Sequence, residues 1–218
     1  NMKFSDIDFG ALKHMVDSLT DDEKESLSNM ARNLAQNMPD SMNQAAENLQ
    51  HNLEETDDPV DYIEYLQIPA WLADELDGHT LSMLESGSDM EQYYSDIEEA
   101  DLSASVLFYD KALLSLSRLY LAPLLKEKAG LEKFSKPAQT TLYDYAWQLG
   151  QEDVQKKLAD DKTSAEAFAE IGQALMHCFI LLQRAEFETI GKRDVEVIKS
   201  LMSTEGLLER LYKRKAEK

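Results

Sequence analysis

Apolar residues recur at helical spacing along most of this chain. Leu12, Met15, Val16 and Leu19 return at intervals of three and four, the spacing of one helix face, and "DSLT" closes that element. "TDDEKESLSNMARNLAQNM" opens a second helix: Thr20 and Glu23 have capping-box spacing, Leu27, Met30, Ala31 and Leu34 form its stripe, and Pro39 stops it. Met42, Ala45, Ala46, Leu49 and Leu53 line one face of a third. "TDDPVDYIEYLQ" predicts a fourth, with Asp58 as N-cap and Pro59 at the first helical position.

Pro69 then forces a fresh start in "IPAWLADEL", because the residue before a proline is pushed out of the helical region. "DGH" predicts a stop, with Gly78 as a left-handed cap. "TLSMLESGS" reads as a connector or single turn, and "ESGSD" as the boundary between an N-terminal subdomain, 1–88, and a C-terminal bundle, 89–218. Met90, Tyr93, Tyr94 and Ile97 start the next stripe behind a Ser88–Glu91 capping box, and that helix is predicted to run on through residue 122. Pro123 kinks or ends it, and Gly130 closes its last turn. Further helices are predicted from Pro137 to just before Gly150, in the short piece "QEDVQKKLADD", from "SAEAF" to Gly191, and in "DVEVIKSLM" and "TEGLLERLYKRK".

The stretch "VLFYDKALLSLSRLYLAPLL", 106–125, is long and apolar enough to raise the question of a membrane. Asp110, Lys111 and Arg118 interrupt it, and each would cost about 2.5–3.5 kcal/mol at a bilayer centre. Wound at 100° per residue, Ser103, Asp110, Lys111, Ser115, Ser117 and Arg118 gather on one side, with Val106, Tyr109, Leu113, Leu116, Tyr120 and Leu124 opposite. It therefore reads as a central core helix and not a span. Leu, Ala, Glu, Gln, Lys and Met dominate the composition, only eight Gly and five Pro interrupt it, and no segment alternates with period two. The expectation is an all-α bundle of about nine helices, an acidic N-terminal half packed on a neutral C-terminal one.

Charge sharpens this picture. Residues 1–100 hold four Lys or Arg against 24 Asp or Glu, while residues 101–218 hold 18 of each, so the formal charge of −20 belongs wholly to the first hundred residues. An acidic surface attracts basic protein partners. It disfavours direct nucleic-acid binding, since phosphates need Lys and Arg. With one cysteine, Cys178, there is no internal disulfide and no cage of several thiolates. The opening residues lack a charged-then-apolar export signal, so a cytoplasmic protein is expected.

Chemistry is thin. His177 and Cys178 are neighbours on a helix, point about 100° apart, and cannot act together as base and nucleophile. A di-metal bundle needs Glu-x-x-His pairs. The residues three before His14, His51, His79 and His177 are Ala11, Asn48, Leu76 and Ala174, so no acid stands in that position. The acid run "SDIEEAD" lacks the glycine of a calcium loop, and no phosphate loop, nucleophile elbow or C-x-x-C occurs. No catalytic residue, cofactor or metal is expected. Asp110 and Arg118 share a polar stripe but lie about 12 Å apart along the axis, so each, if buried, needs a partner from another helix. Trp71 and Trp147 read as core anchors, with Trp71 nearer the surface because it follows the Ile68–Pro69 break, and so also a candidate ligand or partner contact. The leading expectation is a non-catalytic interaction or adaptor module meeting a basic protein. One alternative is a small-molecule- or metal-binding helical-bundle enzyme using the polar stripe around Asp110, Arg118, Glu170 and His177. The other is an acidic nucleic-acid mimic.

Overall fold

Asp61 starts the first helix of the computed structural model by accepting a hydrogen bond from the Ile63 amide at 2.8 Å. The structure describes residues 60–215, together with Thr20. The three helices predicted before residue 54 lie outside the described residues, as do Asp58 and Pro59. Val60 and Asp61 are not helical, so α1, Tyr62–Tyr65, begins later than the Asp-Pro signal predicts. By its contacts the chain divides into Asn1–Pro59 and Val60–Lys218, and the second unit is described below.

Every regular element among the described residues is helical. After α1, Gln67 takes a left-handed φ of 55° and the Ile68 amide donates back to the Ile63 carbonyl at 2.9 Å, closing the turn and burying Ile68. Pro69 then starts α2, Ala70–Glu75, as its sequence predicts. Gly78 is not a C-cap. Asp77 accepts from the Thr80 amide and hydroxyl, an N-cap that makes Gly78 the first residue of α3, Gly78–Tyr93.

That helix runs unbroken through "ESGSD", so the stretch taken for a connector is helix interior. Its small residues serve close packing: a Cβ on Gly87 would fall 2.4 Å from the Tyr109 ring, and Ser88 is fully buried. The predicted continuation to residue 122 is broken as well. The chain turns over residues 94–102, where Asp101 accepts from the Ser103 amide at 3.1 Å and so opens α4, Ser103–Leu116. α3 and α4 pack as a hairpin. The loop is tied to the far end of the chain by the Leu102 amide donating to the Ile190 carbonyl at 2.8 Å.

α4 is the core helix its sequence predicts. Val106, Tyr109, Ala112, Leu113 and Leu116 are all fully buried, against α3 on one side and the C-terminal helices on others. Pro123 changes its winding without ending it. A proline has no amide hydrogen and crowds the carbonyl one turn back, and the chain answers with a π-helical turn, Ser117–Leu121, before α5, Ala122–Glu127. Gly130, at φ 70°, closes the segment. Two 3₁₀ turns follow, and Pro137 starts the second of them, not the long helix predicted there. α6, Leu142–Leu149, begins instead at Thr141, whose amide donates to Asp144 at 2.8 Å.

α7, Glu152–Leu158, leads to α8, Lys162–Arg184, capped by Asp161. α8 stops at Arg184 instead of reaching Gly191, and residues beyond it form turns. By length and composition α8 is apolar enough to cross a membrane; a third of its most apolar window is buried. Phe168, Ile171, Gly172, Leu175, Cys178 and Leu181 form its inward stripe. Gly172 lets α8 approach α6, since a Cβ there would lie 2.8 Å from that of Leu149. α9, Lys192–Lys199, passes through a second π-helical turn, Ser200–Thr204, to Gly206 at φ 73° and α10, Leu207–Tyr212.

Candidate functional site

Asp110 is turned into the core by the inward face of α4 and is 3% exposed. Among the described residues neither of its carboxyl oxygens has a hydrogen-bond partner. Burial alone pushes its pKa well above the ordinary carboxylate range, so the group is held as a neutral acid. Its electrostatic neighbour is Cys178 on α8, a thiol 1% exposed whose own pKa is raised, first by burial and then by Asp110. That thiol is a small hydrophobe with no route to reactivity.

Arg118, eight residues on, pairs with no acid among the described residues. Its Nη2 donates to the carbonyls of Thr140 at 2.6 Å and Ala138 at 3.2 Å, tying the π turn to the 3₁₀ turn ahead of α6. The ion pairing expected for these two residues is replaced by carbonyl capture for one and by neutralisation for the other.

Glu170 and His177 do meet across one feature. With Gln173 and Ala174 they line one wall of an open cleft of about 230 Å³, faced by Leu201, Glu205, Leu207 and Arg210. Glu170 closes one side through a 3.1 Å ion pair with Arg210. Asp110 and Arg118 are not among the lining residues, so the four-residue constellation read along the chain is not assembled around this cleft. Among the described residues, no three His, Cys, Asp or Glu side chains are grouped to hold a metal ion.

Neither tryptophan is a core anchor: Trp71 is 46% and Trp147 50% exposed. Trp147 stacks on Tyr143 at 6.0 Å. Trp71, on α2, packs edge-on against Tyr212 of α10, whose ring in turn meets Tyr120 of the π turn.

The centre that sequence reasoning missed lies between α3, α4 and α9. Glu91 accepts a hydrogen bond from the Tyr109 hydroxyl at 2.8 Å on one oxygen and holds Lys199 at 2.7 Å on the other. Lys199 also reaches Glu196 at 2.7 Å and sits 4.6 Å over the Tyr65 ring. Burial by itself would lower the Lys199 pKa, but Glu196 and Glu91 outweigh it and hold the ammonium above its ordinary value. Burial and Glu91 raise the Tyr65 hydroxyl to about 12, and the same two causes raise Tyr109. The ammonium and the two phenols thus keep their protons near neutrality, so this is a fixed clamp and not a proton relay.

The segment that supplies Tyr65 and Glu91 is acidic. Residues 60–100 contain eleven Asp or Glu and no Lys or Arg. Eight of the eleven, Asp61, Glu64, Asp74, Glu75, Glu85, Asp96, Glu98 and Glu99, are exposed. No family model matches this chain, and no curated protein or solved structure is significantly similar to it.

Proposed function

We propose that the protein is a non-catalytic interaction module whose acidic surface, carried by α1 to α3 and the turn after them, meets a basic protein partner. What supports this reading above all is the run of eleven carboxylates without one Lys or Arg in residues 60–100, most of them exposed. Exposed apolar side chains stand among them: Trp71, Tyr93 and Ile97. A surface that combines one sign of charge with aromatic contacts has the make-up of a binding patch, charge steering the encounter and rings supplying contact area. The buried groups speak for the same reading. Asp110 is neutral and sealed in, Cys178 is buried, and Glu91 is committed to Lys199 and Tyr109, so none of them is offered to a substrate.

The test is the affinity of the full chain for a fluorescent oligolysine peptide, followed by anisotropy as salt rises from about 50 to 500 mM. Affinity falling steeply, and falling further in a variant with Asp74→Lys and Glu98→Lys, is the expected result. No binding at low salt, or binding indifferent to salt, overturns the reading.

A further inference from the structure

We infer that the basic partner anchors by laying a lysine or arginine side chain on the aromatic ledge of Trp71, Tyr120 and Tyr212, beside the carboxylate of Glu75. This rests on the acidic-surface reading and names the docking point within it.

Three separate elements bring the rings together. Trp71 and Tyr212 meet at 6.1 Å and 64°, Tyr212 and Tyr120 at 5.9 Å and 89°, an edge-to-face row running from α2 through α10 to the π turn. Trp71 does not fill the core: on the same helix Leu72 and Leu76 are buried, while the indole is nearly half exposed. The negative π-face of an aromatic ring attracts a cation, and indole does so best. Acids flank the row. The Tyr212 hydroxyl donates to Glu75 Oε2, and burial, Asp77 and Glu75 together hold the Tyr120 hydroxyl above its ordinary value. A carboxylate has about four acceptor sites, so Glu75 keeps room for an incoming ammonium or guanidinium.

The chain itself displays the chemistry. Lys215 Nζ lies 5.6 Å over the Tyr212 ring, whereas the neighbouring cations are engaged elsewhere, Lys213 with Glu209 and Arg214 over Phe168. An alkylammonium is thus already seated on the ledge, as an internal competitor that a partner's cation displaces.

The experiment follows the two tryptophan indole N–H resonances of the ¹⁵N-labelled full chain while oligolysine is added, with fully acetylated oligolysine as control. Oligolysine shifts Trp71 and leaves Trp147 unmoved. The Trp71→Ala variant, at an exposed position, binds about two- to fivefold more weakly. Trp71→Phe recovers part of that loss, and Lys215→Ala strengthens binding. Binding that persists with undiminished affinity in Trp71→Ala, or equal binding of the acetylated peptide, sinks the ledge. Salt-sensitive binding indifferent to Trp71 sinks the ledge alone and leaves the acidic-surface reading standing, whereas no oligolysine binding at all removes both.

Discussion

Glu91 on α3 and Asp110 on α4 belong to the same helical hairpin and are 7% and 3% exposed. Glu91 has a cation at 2.7 Å and a phenol at 2.8 Å, so each of its oxygens is partnered in the dry site. Asp110 has neither, and the cost of desolvating a carboxylate is avoided by keeping the proton. Two acids at the same depth differ because Tyr109 and Lys199 both converge on one and nothing converges on the other. Burial alone does not fix a group's charge; the supply of partners does.

The largest effect expected from this contrast comes from removing a partner of Glu91. Lys199→Met leaves a nearly buried carboxylate uncompensated, a loss of about 3–5 kcal/mol of stability, measured by denaturant unfolding at neutral pH. A loss below about 1 kcal/mol would show that Glu91 is as indifferent to its cation as Asp110 is without one.

Asp110 should behave in the opposite sense. Asp110→Leu removes an unsatisfied buried acid and raises stability by about 1–3 kcal/mol at neutral pH. The pH dependence has a definite sign. The folded protein keeps a proton that the unfolded chain releases near pH 4, so wild-type stability declines as pH rises from there toward the raised folded-state value, with a limiting slope of about 1.4 kcal/mol per pH unit. Stability of wild type relative to Asp110→Asn, followed from pH 4 to 8, carries that negative slope. A flat difference would mean that Asp110 is ionised in the fold.

Much of the architecture is visible along the chain because periodicity and prolines act locally. The start after Pro69, the core role of residues 106–125 and the close of that segment at Gly130 all follow from residues within a few positions of each other. What misleads is local chemistry with two legitimate uses. Asp77-Gly78 suits a helix end or a helix start, and the Thr80 amide decides for the start. Gly87 and Ser88 look like a linker until Tyr109 occupies the space a larger residue would take. Glu91 has capping-box spacing from Ser88, yet Lys199, the residue that gives it its role, lies far along the chain. Asp110 and Arg118 were legible as a polar stripe, but their partners, or the want of them, are settled by elements that no spacing announces.

The smallest effect tests whether depth, and not the mere presence of an ion pair, gives Glu91 its weight. Lys199 holds Glu196 at the same 2.7 Å as Glu91, but the Glu196 side chain is 67% exposed where that of Glu91 is 8%. Water solvates Glu196 whether or not the lysine is there, so the pair gains little that the solvent does not already supply. Glu196→Gln is expected to change stability by less than about 1 kcal/mol. Glu91→Gln, which removes the buried carboxylate that Lys199 and Tyr109 share, costs several times more in the same unfolding measurement. Equal costs for the two substitutions would mean that distance to the ammonium matters and burial does not, and the contrast between Glu91 and Asp110 would lose its physical basis.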